Sequence, residues 1–142
     1  MPTPYKEIFD KANVLFTDAE LLHRLSDEEL NELLKLFLSK AKSVYFKSCK
    51  KNLDDVDDVL EQFNVDIDEQ EQWLIAQSMR IVWLDKQIYR EEKLRDRIGS
   101  RDYQMHSPGN LLDKLILLKK ETKRELNELL ISYSFDEFEG FK

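Results

Sequence analysis

Three long stretches of this chain are written in the period of an α-helix, and nothing else in the sequence constrains the fold as much. The first opens at Ser26. Ser26 and Glu29 have the spacing of a capping box, in which each side chain satisfies a free backbone N–H of the other residue. Asp27 and Glu28 add negative charge at the positive end of the helix dipole. Leu30, Leu33, Leu34, Phe37, Leu38, Ala41, Val44 and Tyr45 then recur at helical spacing, which predicts one broad buried face in a helix ending between 46 and 51. The second stretch runs from about 67 to 89, with Asp66 and Glu69 as its cap pair. Trp73, Leu74, Ile75, Ala76, Met79, Ile81, Val82, Trp83, Leu84 and Ile88 leave it little polar face. Such a helix belongs at the centre of a bundle or against a neighbouring subunit. The third stretch starts at Ser107-Pro108, an N-cap serine with proline at the first helical position. Its stripe is Leu111, Leu115, Leu118, Thr122, Leu126, Leu129 and Tyr133.

Shorter pieces join these. Thr3-Pro4 opens a short helix over 5–12, and Thr17 with Glu20 caps another through His23. Residues 52–63 read as one or two helical turns, 91–98 as a short helix closed by Gly99, and 101–106 as an ordered loop. The expected fold is all-α: a small helical bundle of three long helices and short connecting helices, 1–131, followed by an extended C-terminal arm, 132–142. Length and composition agree with one domain. A chain of 142 residues can bury its own core, and only 3 Gly and 3 Pro disfavour a fold of many tight turns.

The same composition removes several functions. One cysteine, Cys49, excludes an intramolecular disulfide and a zinc site built on cysteines. Glycines at 99, 109 and 140 make neither a phosphate-binding loop nor a dinucleotide fingerprint. The run Leu115-Ile116-Leu117-Leu118 is far short of the ~20 residues of a membrane span, so no membrane is expected. The opening MPTPYKEIFD lacks the basic and apolar regions of a signal peptide, which points to synthesis in the cytoplasm. A net charge of -7 is poorly suited to wrapping DNA by phosphate neutralisation.

Chemistry is thin. Asp54, Asp55, Asp57 and Asp58 form an acidic cluster, yet the nearest loop of calcium-binding type has Glu69 at its sixth position, where glycine is needed. Glu20 and His23 are one Glu-x-x-His pair; a di-iron bundle needs two, and Tyr103 precedes His106 where a second glutamate would stand. Cys49 lies between Lys47 and Lys50, with no glycine-rich oxyanion loop nearby. No catalytic residue, metal or cofactor is expected, and the chain reads as a non-enzyme.

Charge comes in blocks. Residues 52–79 hold nine acids and no Lys or Arg, while 80–101 hold seven Lys and Arg against four acids. Such asymmetry suits head-to-side pairing of like subunits. The last residues, SYSFDEFEGFK, carry Tyr133, Phe135, Phe138 and Phe141 among acids. They either pack back on the chain's own core or form an arm that docks on a partner.

Several segments resemble one family. Asp102-Tyr103 followed by Ser107-Pro108-Gly109-Asn110-Leu111-Leu112 is similar to the approach to the last helix of head–tail connector (adaptor) proteins of tailed bacteriophages. Cys49-Lys50-Lys51-Asn52-Leu53 with Asp57-Asp58 and Gln62-Phe63-Asn64 resembles that family's acidic linker. Met79 with Val82-Trp83-Leu84 resembles its central helix, and Tyr133-Ser134-Phe135-Asp136 its closing Tyr-Ser-Tyr-Asp arm. Gly109 stands where alanine is expected, and Phe135 where tyrosine is. The resemblance spans roughly 26 to 136. It implies a structural protein of the virion neck: a helical subunit in a twelvefold ring beneath the portal protein, joined below to a tail or stopper protein, with DNA passing through the central channel without specific binding. It implies partner-binding roles for Tyr103, Tyr133, Phe135, Phe138 and Phe141. The competing expectation is a helical-bundle regulator or adaptor that binds another protein without forming a ring.

Overall fold

In a computed structural model, the structure describes residues 2–15, 26–106 and 111–139, for 106 and 136–139 the backbone alone. The fold is all-α, as expected. It comprises β1 (Thr3–Pro4), α1 (Tyr5–Leu15), α2 (Asp27–Lys40), a π-helical turn (Ala41–Tyr45), β2 (Val56–Asp57), β3 (Gln62–Phe63), α3 (Glu69–Ile98), α4 (Ser100–His106) and α5 (Leu111–Glu139).

Helix α3 is the axis of the molecule, and α1, α2, α4 and α5 all pack against it. Its nearly unbroken apolar surface therefore has neighbours within the same chain: Leu74, Ile75, Ala76, Met79, Ile81, Val82, Trp83 and Leu84 are all buried. It starts two residues later than the spacing suggested. Asp68, not Asp66, is the N-cap; its carboxylate accepts from the Glu71 amide at 2.8 Å, and the Glu71 carboxylate accepts from the Asp68 amide at 3.2 Å. The segment before it is held extended, because Thr3 Oγ1 accepts from the Ile67 amide at 2.9 Å and donates to the Val65 carbonyl at 3.2 Å. At the other end α3 runs on through 91–98, which is the last part of this helix and not a separate one. Gly99 ends it with φ 87° and ψ 155°, a conformation open essentially to glycine alone.

Helix α2 begins as read, with Ser26 Oγ accepting from the Glu29 amide at 3.2 Å. Leu34, Phe37, Leu38 and Ala41 are buried, and each large side chain contributes about 1.5–3 kcal/mol by leaving water. Val44, expected on that face, is exposed. The reason is the π turn: the Phe46 amide reaches back to the Ala41 carbonyl at 2.9 Å, which widens the helix and turns Val44 outward.

Two further expectations fail between 52 and 106. Residues 52–63 are strand, turn and strand, not helical turns. The three short strands lie in the order β1-β3-β2, all antiparallel, with Thr3 opposite Phe63 and Val56 opposite Phe63. Asp57 Oδ1 accepts from the Val59 and Leu60 amides, both at 3.0 Å, and this local bonding competes with a helix. Residues 101–106 are helical, not a loop. The Tyr103 amide bonds the Gly99 carbonyl at 2.9 Å, and the Tyr103 hydroxyl donates to buried Glu91 at 2.9 Å.

Helix α5 lies antiparallel to α3: Lys119 pairs with Asp85, Gln77 donates to Glu125 at 3.4 Å, and Tyr133 meets Glu71. It continues to Glu139, so residues 132–139 are not an extended arm. The segments 16–25, 107–110 and 140–142 lie outside the described residues, and with them the expected Glu20–His23 pair and the Ser107-Pro108 cap.

Candidate functional site

A groove runs between α2 and α3, walled at one end by α5. Leu33, Leu36, Phe37 and Val82 floor one hollow of about 550 Å³. A second of about 580 Å³ adjoins it and shares Leu33, Lys86 and Tyr89. Helical spacing makes the α2 wall: Leu33, Leu36, Phe37 and Lys40 recur at steps of three and four. Leu36 is 68% exposed and Tyr89 60% exposed, so the groove presents apolar surface to water.

Its rim is basic. Lys40, Lys86, Lys119, Arg90 and Lys93 surround it, against Asp85 and Glu29. Lys86 Nζ lies 5.9 Å from the Phe37 ring centre and Lys93 Nζ 5.3 Å from that of Tyr89, so both stems lie along the apolar floor. Asp85 is already engaged by Lys119 and by the Tyr45 hydroxyl. Burial, reinforced by the hydrogen bond to Asp85 and its charge, pushes the Tyr45 phenol well above the usual tyrosine range. An apolar trough with a cationic rim is built to receive an acidic segment that presents apolar side chains on one face.

The residues expected to dock on a partner divide. Tyr133 is 3% exposed and belongs to the chain's own core. Its hydroxyl donates to Glu71 Oε2 at 2.7 Å and accepts from the Lys50 amide at 2.8 Å; its ring meets Phe46 edge-on at 5.6 Å. Tyr103 is likewise buried, on Glu91. Neither presents a surface to a partner, which corrects the expectation for both. Phe135 is 62% exposed, on the opposite side of α5 from Tyr133. Phe138 lies within α5 with its side chain outside the described residues, as is all of Phe141. The groove itself was missed. Its signal was Leu36, an apolar residue off the buried stripe of α2, facing the basic stretch that contains Tyr89.

Glu71 is the other concentration of chemistry. It is 1% exposed and takes four donors: Tyr133, Lys51 Nζ at 2.9 Å, the Asp68 amide, and Cys49 Sγ at 3.4 Å. Burial pushes its carboxyl up, but the hydrogen bonds from Tyr133, Lys51, Asp68 and Cys49 outweigh it, and the group titrates below its ordinary value. Burial, with the Glu71 charge beside it, lifts the Cys49 thiol to about 11, the reverse of an activated nucleophile. This node clasps the helices together. Among the described residues no cluster of three or more His, Cys, Asp or Glu is arranged to hold a metal, and no helix is long and apolar enough to cross a membrane. No family model, curated protein or solved structure matches the chain.

Proposed function

We propose that the chain is a structural subunit of a tailed-bacteriophage neck, the head–tail connector that forms a ring under the portal protein and joins the capsid to the tail. The observation that carries this reading is the pair of unlike open surfaces at opposite ends of one helical body. The basic-rimmed groove lies toward one end, and the exposed Ile131 and Phe135 of α5 toward the other. Such a body suits repeated heterologous contact. The motifs around Tyr103, 107–112 and 133–136 that resemble connector proteins support the same reading. With Tyr133 in the core, its support comes from these two surfaces and not from a trailing arm.

In this reading neighbouring copies, the portal protein and a tail or stopper protein are the partners, and DNA passes through the channel without being held. A charge of -7 per copy, repeated round a ring, repels the phosphate backbone from the wall. The test is to incubate the purified protein with portal rings and image the mixture. Extra ring density on the tail-facing side of the portal is expected; bare portals beside free protein would refute the reading. The groove by itself also fits a regulator that binds one acidic helix, and that reading predicts a one-to-one complex with its target and no density on portals. Changing the exposed Asp54, Asp55 and Asp58 to Asn should slow genome ejection measured in vitro, and unchanged ejection would remove the repulsive role.

A further inference from the structure

The groove's rim charge opposes that of the molecule as a whole. Five Lys and Arg stand there against two acids, on a chain of net charge -7. Among the described residues, Lys40, Lys86, Arg90 and Lys93 have no carboxylate within 4 Å. The fitting occupant is acidic and carries bulky apolar side chains one helical turn apart.

The chain itself contains such a segment. Ile131 and Phe135 lie four residues apart on α5, 57% and 62% exposed, so they form a short ridge. The sequence around them continues Phe135-Asp136-Glu137-Phe138-Glu139, three acids without a base. Ridge and groove cannot meet within one molecule. Tyr133 is fixed at Glu71, near the start of α3, whereas Tyr89 of the groove lies 18 residues further along that helix. At the helical rise this is about 27 Å. Helix α5 also runs away from the groove towards its own C-terminal end.

We propose that the end of α5, Ile131 to Glu139, of one copy seats in the α2–α3 groove of a second copy. The contact deepens the connector reading, on which it rests, by naming the surfaces that join neighbours. Phe135 and Ile131 cover Leu33, Leu36 and Tyr89, and the acidic stretch that follows Phe135 brings its negative charge to the rim of Lys86, Arg90 and Lys93. Each copy then offers one ridge and one groove, a head-to-tail contact that closes into a ring where the rotation permits.

The test uses the full chain in two exposed-surface variants, each first checked for wild-type helicity. One carries Lys86→Glu and Arg90→Glu in the groove; the other carries Ile131→Ser and Phe135→Ser on the ridge. Sedimentation velocity at high protein concentration and low salt reads the mass. Wild type is expected to form species larger than a dimer that weaken as salt is raised. Each variant alone is expected to remain a monomer of 17.0 kDa. Their equimolar mixture is expected to stop at two chains, because only one working ridge and one working groove remain. Wild type that stays monomeric, variants that assemble like wild type, or a mixture that recovers nothing would each overturn the proposal. Attachment to portal rings is scored separately on the same proteins. Wild type that assembles yet ignores portals defeats the connector reading and leaves this contact standing. A ridge variant that loses portals but still self-assembles shows the ridge to be a portal-binding surface, and the proposed contact falls.

Discussion

Changing Tyr133 to Phe removes one oxygen and leaves the ring against Phe46. That oxygen donates to Glu71 at 2.7 Å and accepts from the Lys50 amide at 2.8 Å, in a site where Glu71 has almost no contact with water. A hydrogen bond to a charged group contributes about 1.5–3 kcal/mol. Glu71 keeps Lys51, the Asp68 amide and Cys49 as donors, so the lower half of that range applies, about 2 kcal/mol. For a chain of this length that is a fall in melting temperature of roughly 7 °C. Urea unfolding followed by helical circular dichroism gives the free energy directly. The pH dependence is a second check. Glu71 titrates below its ordinary 4.5 in the folded state, so its contribution is fully present above that pH and is lost as pH falls through the lower folded value. Without the tyrosine hydroxyl, burial weighs more heavily, the folded carboxyl titrates higher, and acid unfolding begins at higher pH. Phe135→Ala, on the exposed side of the same helix, should change stability by less than about 0.5 kcal/mol. If Tyr133→Phe proved as harmless as Phe135→Ala, the reasoning would fail, and Tyr133 would belong to a free arm after all.

Two further outcomes follow from the same packing. Cys49, lifted from 9.0 to about 11, should alkylate at pH 8 roughly a hundredfold more slowly than an unperturbed thiol, and at the normal rate once urea unfolds the chain; rapid labelling of the folded protein would contradict the Glu71 node. Gly99→Ala meets no steric obstacle, yet at φ 87° and ψ 155° it should cost about 1–3 kcal/mol in urea unfolding and loosen α4. A neutral effect would mean that α3 does not end in that conformation.

The three long helices were legible because their apolar positions recur at helical spacing, and the first two carry caps in their first turns. The central place of α3 followed from residues 73–84, whose apolar positions nearly encircle the helix. What escaped was set by contacts distant in sequence. Asp66 and Asp68 each stand three residues before a glutamate, and local spacing cannot choose between them. Thr3 chooses, by holding 65 and 67 extended from more than sixty residues away. Residues 91–98 read as a short helix of their own, yet they continue α3, and Glu91 is buried because Tyr103 meets it from the next helix. The spacing of Tyr133, Phe135, Phe138 and Phe141 is neither helical nor cleanly that of a strand. On a helix the step from Tyr133 to Phe135 places one inward and the other outward, and only the pairing with Glu71, 62 positions earlier, decides which. The groove was hidden for the same reason, since its two walls come from helices far apart in the sequence.

The wide turn at Ala41–Tyr45 behaves as one residue spliced into a regular spiral. Winding it back to ordinary pitch with every residue kept would swivel everything downstream by about 100°. Tyr45 would then swing off Asp85, and Phe46 would leave its place beside Tyr133. Excising one residue as the pitch returns to normal keeps the downstream phase, so both contacts survive. A shortening by one at 41–45 is thus the length change this helix absorbs with least rearrangement.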